Sequence, residues 1–452
     1  MLSKITHISG RIVWLLAISV IVSRCKTSDP EPRSELADTY DAEVAMLWVN
    51  LSLDLVKNTP GFTPPVASRA LGYAGLTLYE AVVHGLPANR SMEGQLYNLT
   101  SLPKPDSRKR YNWALVANAA EAEMVRRLFV TTPESANRNR IDSLEGVLRT
   151  RVGTGQAAEV ISDSEAYGKS VAMAIWEWSK TDGGHEGYRR NFPTDYKAPI
   201  FPGSWRPTEN GLSAMQPYWG NNRLFVTHNT LILPPRPLPL SVNPSSPYYQ
   251  QNLKVYQKNK ALTQAEKEIA IWWADDPSET FTPPGHSMYI ATIAVKNSEA
   301  KLGKAAETFA RVGLAVSDAF VICWKCKYAF SIERPYTFVR RAIDRNWVPF
   351  WPAPPFPSFT SGHATQSAAV ATVLTDLYGA SFAFTDDAHA NRPKDALRNV
   401  EFKPRTFTSF QAFAEESAHS RFLGGIHTDQ DNEEGLAKGR IVGRNVNALR
   451  WK

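Results

Sequence analysis

Apolar residues along this chain recur at spacings of three and four far more often than they alternate. Residues 39–57 (TYDAEVAMLWVNLSLDLVK) carry one apolar stripe, and Thr59-Pro60-Gly61 stops the pattern. Residues 64–84 open on two prolines and continue with helical periodicity. The same spacing predicts helices over 111–130, 134–152, 157–180, 263–275, 285–298, 303–333, 362–379, 407–420 and 432–449. With so little strand-like alternation, the expected fold is mainly α, built from bundles of antiparallel helices.

Between 192 and 248 the texture changes. Eleven prolines fall there, together with Trp205, Tyr218 and Trp219. That density excludes long helices. True linkers are poor in aromatic residues, so an ordered wrap over the helical body is expected rather than a tether between domains. The domain reading is then a single helical unit over 39–452, with the chemistry expected in 300–450.

The composition is that of a globular protein, with 452 residues, 43% hydrophobic and 21% charged, and it excludes disordered, collagenous and disulfide-knot classes. The formal charge of +7 falls to +4 if Lys4, Arg11 and Arg24 leave with a leader, which argues against a nucleic-acid partner. Such a leader is expected over 1–25: basic residues, an eleven-residue apolar run from Ile12 to Val22, then Val22-Ser23-Arg24-Cys25. The run is too short to span a bilayer, and the box resembles a bacterial lipoprotein cleavage site with Cys25 as the lipidated residue. The polar stretch 26–38 then serves as a tether, and the expected location is the cell envelope or periplasm, with membrane contact only through a lipid anchor. Cys323 and Cys326 lack partner ligands at metal spacing and are read as structural thiols on a helix.

Three blocks in the last third carry candidate chemistry. Lys327 and Arg334 stand seven apart, two helical turns, with Pro335 expected to end that helix. Ser361-Gly362-His363 precedes a small, apolar helical run, so Thr360 or Ser361 is its N-cap and the free amides beyond it suit an anion. Arg421 and His427 flank Gly424-Gly425, the break that can bring them to one site, and Asp431 follows four residues later. Cations, a hydroxyl, helix-terminal amides and two histidines suit a multiply charged tetrahedral oxyanion such as phosphate or a phosphate mimic. Each block alone is unremarkable, and the three in this order are not.

Lys-x6-Arg-Pro, Ser-Gly-His and Ser-Arg-x5-His-x3-Asp together resemble the signature of the superfamily of type 2 phosphatidic acid phosphatases and vanadium-dependent haloperoxidases. Thr360 stands where that family usually has proline. Flanking stretches lean to the haloperoxidases: Trp324-Lys325-Cys326-Lys327, Pro354-Pro355-Phe356-Pro357, and Trp273-Ala274-Asp275-Asp276 with Thr282-Pro283-Pro284-Gly285-His286. The resemblance implies vanadate as cofactor, with His427 its metal ligand and Lys327, Arg334, Ser361, Gly362 and Arg421 holding its oxygens. It implies His363 as the acid–base group and Lys327 as a catalytic cation. Asp431 would orient His427, Asp276 would partner Arg421, and Trp324 and Phe356 would shape a halide pocket. Hydrogen peroxide, halide and a small organic molecule would be the substrates. The alternative is a soluble acid phosphatase in which His427 is the nucleophile, passing through a phosphohistidine. His7, His84, His185, His228, His389 and His419 are expected to be ordinary histidines, and His286 is a weaker candidate.

Overall fold

The computed structural model describes residues 34–130, 135–208 and 213–452; the leader, Cys25 and residues 26–33 of the expected tether lie outside the described residues. Thirteen α-helices are described, with one two-stranded antiparallel sheet. Every predicted helix is present: α1 (Glu43–Asn58), α2 (Pro64–Val82), α3 (Trp113–Leu128), α4 (Ser135–Gly153) and α5 (Ala158–Ser179) precede the proline-rich stretch. Two helices went unpredicted. The first, α6 (Pro247–Lys260), is polar on most faces and buries only Tyr248, Asn252 and Val255, so its apolar stripe is too thin to read. It is followed by α7 (Gln264–Trp272), α8 (Thr282–Asn297) and the 29-residue α9 (Leu302–Phe330). The second is α10 (Pro335–Ala342), discussed below; α11 (Gly362–Tyr378), strands β1 (Phe384–Asp386) and β2 (Arg405–Phe407), α12 (Phe410–Leu423) and α13 (Asp429–Asn447) complete the chain. No helix among the described residues is long and apolar enough to cross a membrane.

Two helix pairs dominate the packing, α2 on α9 and α11 on α13. The second pair sets the site. Gly435, Gly439 and Gly443 form a stripe one turn apart on α13. A Cβ at Gly439 would stand 2.1 Å from the Thr365 carbonyl oxygen, and one at Gly443 2.5 Å from that of Ala369. The two backbones therefore touch, and the N-termini of α11 and α13 meet, joined by a hydrogen bond from the Ser361 amide to the Asp431 carbonyl (2.9 Å).

Among the described residues of the proline-rich stretch, Trp205 and Trp219 are buried, and only short 3-10 turns precede α6. The anchor of this stretch is the buried Asp318 of α9, which accepts from the Phe225 and Val226 amides (2.7 and 3.0 Å) and from Asn229 Nδ2 (2.7 Å). A second anchor lies over the site: the Met215 amide donates to the Pro355 carbonyl (2.9 Å), and its carbonyl accepts from Trp324 Nε1 (3.3 Å) and the Tyr328 hydroxyl (2.6 Å).

Candidate active site

The three sequence blocks converge, although the first is built differently from expectation. The α9 helix ends at Phe330, where Ser331 adopts a left-handed conformation (φ +48°) and its amide returns to the Lys327 carbonyl. Pro335 does not end that helix; it is the first residue of α10, where its missing N–H costs nothing, and Arg334 is the N-cap. Lys327 and Arg334 thus sit on two elements across a tight turn rather than on one helix face. Ser361 caps α11 as expected, its Oγ accepting from the Ala364 amide (3.4 Å). The break at Gly424-Gly425 is also present, Gly425 at φ +78°, with Arg421 near the end of α12 and His427 just before α13.

His427 is fixed by the helix that follows it. Thr428 and Asp431 form the capping box of α13. The same Asp431 Oδ2 accepts from His427 Nδ1 (2.9 Å), from the Ser358 hydroxyl (2.6 Å) and from the Thr428 amide (3.1 Å). A proton held on Nδ1 leaves the lone pair on Nε2, which lies 3.0 Å from Arg334 Nη1. Burial, together with Arg334, Lys327 and Arg421, holds the His427 pKa far below the ordinary histidine range. His427 is therefore neutral, as a ligand or a nucleophile must be.

Around it the cations are short of partners. Arg334 donates from Nε to the Phe356 carbonyl (3.0 Å) and from Nη1 to that of Ile426 (2.9 Å), while its buried Nη2 has no partner. Arg421 donates from Nη1 to the Trp273 carbonyl (2.7 Å), and its buried Nε is unpaired. His363 Nε2 is likewise buried and unpaired. Unpaired buried donors each cost about 1–3 kcal/mol, more when charged. Burial pushes the Arg421 pKa down to about 10 and that of Arg334 to about 9, with Arg421 adding to the effect on Arg334. A bound oxyanion would relieve the penalties of both guanidiniums together, and a protonated group on it could meet His363 Nε2. At Gly362, where a Cβ would approach nothing closer than Trp324 (3.6 Å), the first amides of α11 are open to the same ligand.

Lys327 is held by the loop that leads into Ser361. Its Nζ donates to the carbonyls of Pro357 (2.9 Å), Ser358 (2.7 Å) and Thr360 (2.5 Å), which uses all three protons. It pins the loop leading into Ser361 and adds a charge nearby. Burial lowers its pKa to about 8. Protonated Lys327 favours an anion, so affinity is full below that value and is lost as pH rises through it. We expect oxyanion affinity to fall up to tenfold per unit above about pH 8. The measurement is vanadate affinity against pH, in which Lys327→Met should be weaker throughout and flatter above pH 8; an identical profile in the variant would remove Lys327 from the electrostatics.

Trp324 and Phe356 stand with ring centroids 4.9 Å apart, and both line a cavity of about 410 Å³ that also reaches His363, Arg421 and His427. Asp276 lines the same cavity, but no direct ion pair joins it to Arg421 among the described residues. Arg421 feels its charge at longer range, and burial raises the Asp276 carboxyl to about 6. The direct partner of Arg421 is the Trp273 carbonyl, which no side-chain pattern announces. Ser358 was also missed, while the Thr-x-x-Asp of the α13 capping box was legible. His286 is buried between the carboxylates of Asp275 (2.9 Å) and Asp386 (2.8 Å). His389, expected to be unremarkable, is buried against Asp275 (2.9 Å), placed there by a loop that joins segments more than a hundred residues apart.

Fold and site together describe a mainly helical protein with arginines, histidines and helix N-termini gathered at one buried cavity. Comparison supplies the class. The family model described as "VCPO second helical-bundle domain" matches residues 307–450. The chain is 25% identical to the vanadium chloroperoxidase of Curvularia inaequalis, over 89% of this chain and 81% of that protein. It also superposes on the crystal structure of a bacterial vanadium-dependent iodoperoxidase with a TM-score of 0.79 and 32% identity, covering 90% of this chain and 96% of the other. A bacterial vanadium-dependent chloroperoxidase, 15% identical with a TM-score of 0.66 over 86% and 92% of the two chains, shares the fold. The chain belongs to the vanadium-dependent haloperoxidase family, and it is a vanadium haloperoxidase-like enzyme.

Proposed function

We propose that this protein binds vanadate and catalyses the oxidation of halide by hydrogen peroxide, with uptake of one proton, to hypohalous acid and water. The observation that carries the reading is the set of unpaired buried nitrogens of Arg334, Arg421 and His363 around a neutral His427. The donor set fits vanadate: one imidazole lone pair for the metal, and guanidinium, hydroxyl and helix-terminal donors for its oxygens. His427 would hold the metal through Nε2 and Asp431 would hold the ring's orientation through Nδ1. Arg334 Nη2, Arg421 Nε, the Ser361 hydroxyl and the Gly362 amide would hold the oxygens. When bound, vanadate supplies a Lewis acid that activates peroxide toward halide with no change in the metal's oxidation state.

The remaining work falls to the chain. Burial and the Arg421 charge hold His363 well below the ordinary histidine range, so it is a neutral base. Its Nε2 takes a proton from entering hydrogen peroxide and returns it to the departing oxygen. Lys327 keeps the 357–361 loop in register and adds positive potential, which rises in importance as negative charge develops. Trp324 and Phe356 exclude water from the side of the cavity where halide would approach, and a small organic acceptor would meet the oxidised halogen there. The neutral Nε2 of His427 equally supports attack on a phosphate ester, so the two reactions are set against each other in one assay.

Purified protein is expected to oxidise iodide, bromide or chloride with peroxide only after vanadate is added, and to lose that activity on dialysis against phosphate. Phosphate-ester hydrolysis that vanadate inhibits, without halide oxidation, would assign the phosphatase instead. We further propose export through the leader 1–25 with lipidation of Cys25. This reading rests on the sequence pattern, and Cys25→Ser should release the mature protein from the membrane fraction.

A further inference from the structure

Asp275 lines the active-site cavity and is also the hub of a second, fully buried polar cluster. Its Oδ2 lies 2.9 Å from His286 Nδ1, and its Oδ1 lies 2.9 Å from His389 Nε2. The ligand atoms of these three residues lie within 4.8 Å of one another, the one such grouping of histidine, cysteine and acidic side chains among the described residues. None of the three is more than 2% exposed. We propose that Asp275, His286 and His389 form a second metal site, for a divalent transition ion of the zinc class, separate from the oxyanion site and independent of which oxyanion that site takes.

Four observations support it. Two imidazoles and a carboxylate are the donor set such ions prefer. Asp275 stands 2.9 Å from a nitrogen of each histidine, and neighbouring ligands on a tetrahedral ion with bonds of about 2.1 Å lie about 3.4 Å apart, so an outward shift of about half an ångström would admit the ion. An outer shell is already built: the far nitrogen of His286 meets Asp386 Oδ2 at 2.8 Å, and that oxygen also accepts from Trp272 Nε1 at 2.7 Å, an arrangement that orients metal-bound histidines. Charge balance completes the case. Asp275 and Asp386 are two buried carboxylates, at most 1% exposed. A divalent ion would neutralise both acids with both imidazoles neutral.

The ion would join three separate stretches of chain: the loop after α7, helix α8 and the loop after β1. The first is the cavity wall, where Trp273 stacks on His286 (centroids 4.6 Å apart) and gives its carbonyl to Arg421. The site would thus hold in place the partner of an oxyanion-binding arginine.

The test is elemental analysis of the full chain, purified without a histidine tag from zinc-supplemented medium. About one zinc per chain is expected after dialysis, with a lowered thermal midpoint once dipicolinate strips it. Cobalt(II) added to stripped protein should give visible absorption of histidine and carboxylate ligation, absent from the double variant His286→Gln/His389→Gln. Folded wild-type protein with less than about a tenth of an equivalent of any divalent transition ion, before and after incubation with zinc, would overturn the proposal. So would a cobalt spectrum that survives in the double variant. If that variant does not fold, the wild-type stoichiometry and the chelator-induced shift decide alone, and neither depends on halide oxidation.

Discussion

Replacing His427 by alanine is expected to reduce vanadate-dependent halide oxidation to background, a loss of at least about a thousandfold. The size of the effect follows from what surrounds the ring. Arg334, Arg421 and Lys327 all supply positive charge, and His427 Nε2 is held against them, 3.0 Å from Arg334 Nη1, by the bond of Nδ1 to Asp431. Remaining cations can still attract an oxyanion but cannot hold a metal. The fold should survive, because Asp431 retains the Ser358 hydroxyl and the Thr428 amide after the ring is gone. Asp431→Asn should be milder, about ten- to a hundredfold in vanadate affinity, because it weakens the acceptor on Nδ1 without removing the ligand. The measurements are vanadate affinity, turnover and thermal midpoint for both variants. Full turnover in His427→Ala would remove this residue from the chemistry in either the peroxidase or the phosphatase reading.

What sequence reveals here depends on how local each device is. Helix periodicity is local, and all eleven helices it predicts are present. The two that escaped are a mostly polar α6 and a short α10 that opens on Pro335. Proline stops a helix before it and starts one after it with equal ease, so the residue alone does not say which. The site blocks were legible because each packs several chemistry-bearing residues into a short span. Their partners were not. The Trp273 carbonyl under Arg421, and the three carbonyls that saturate Lys327, are backbone groups available at any residue, and only the folded path selects them. The Asp275, His286 and His389 cluster failed for a related reason: its members lie 11 and 114 positions apart, so no spacing rule connects them.

The α13 glycine stripe joins fold to site most directly, and Gly439→Val is expected to be the most damaging single change outside the cavity. A Cβ there would lie 2.1 Å from the Thr365 carbonyl oxygen and 2.9 Å from the Ala368 Cβ. Both belong to α11, whose backbone cannot yield without moving the whole helix. Valine adds two further carbons, so a destabilisation of about 3 kcal/mol or more is expected, beyond the usual cost of overpacking. A glycine-to-valine change in an open helix should be nearly neutral by contrast, because relief of glycine's backbone entropy offsets valine's lower helical preference. Gly146 in α4 supplies that control, since nothing lies within 4 Å of a Cβ there. The damage at Gly439 should also reach the chemistry. Prising α13 from α11 separates Asp431 from Ser361, whose amide it accepts, and with Asp431 goes the orientation of His427. Gly439→Ala, a smaller wedge, should therefore lower vanadate affinity at temperatures where the protein is still folded. If Gly439→Ala melts earlier yet binds vanadate as tightly as the wild type, the two helix N-termini do not depend on the stripe for their meeting.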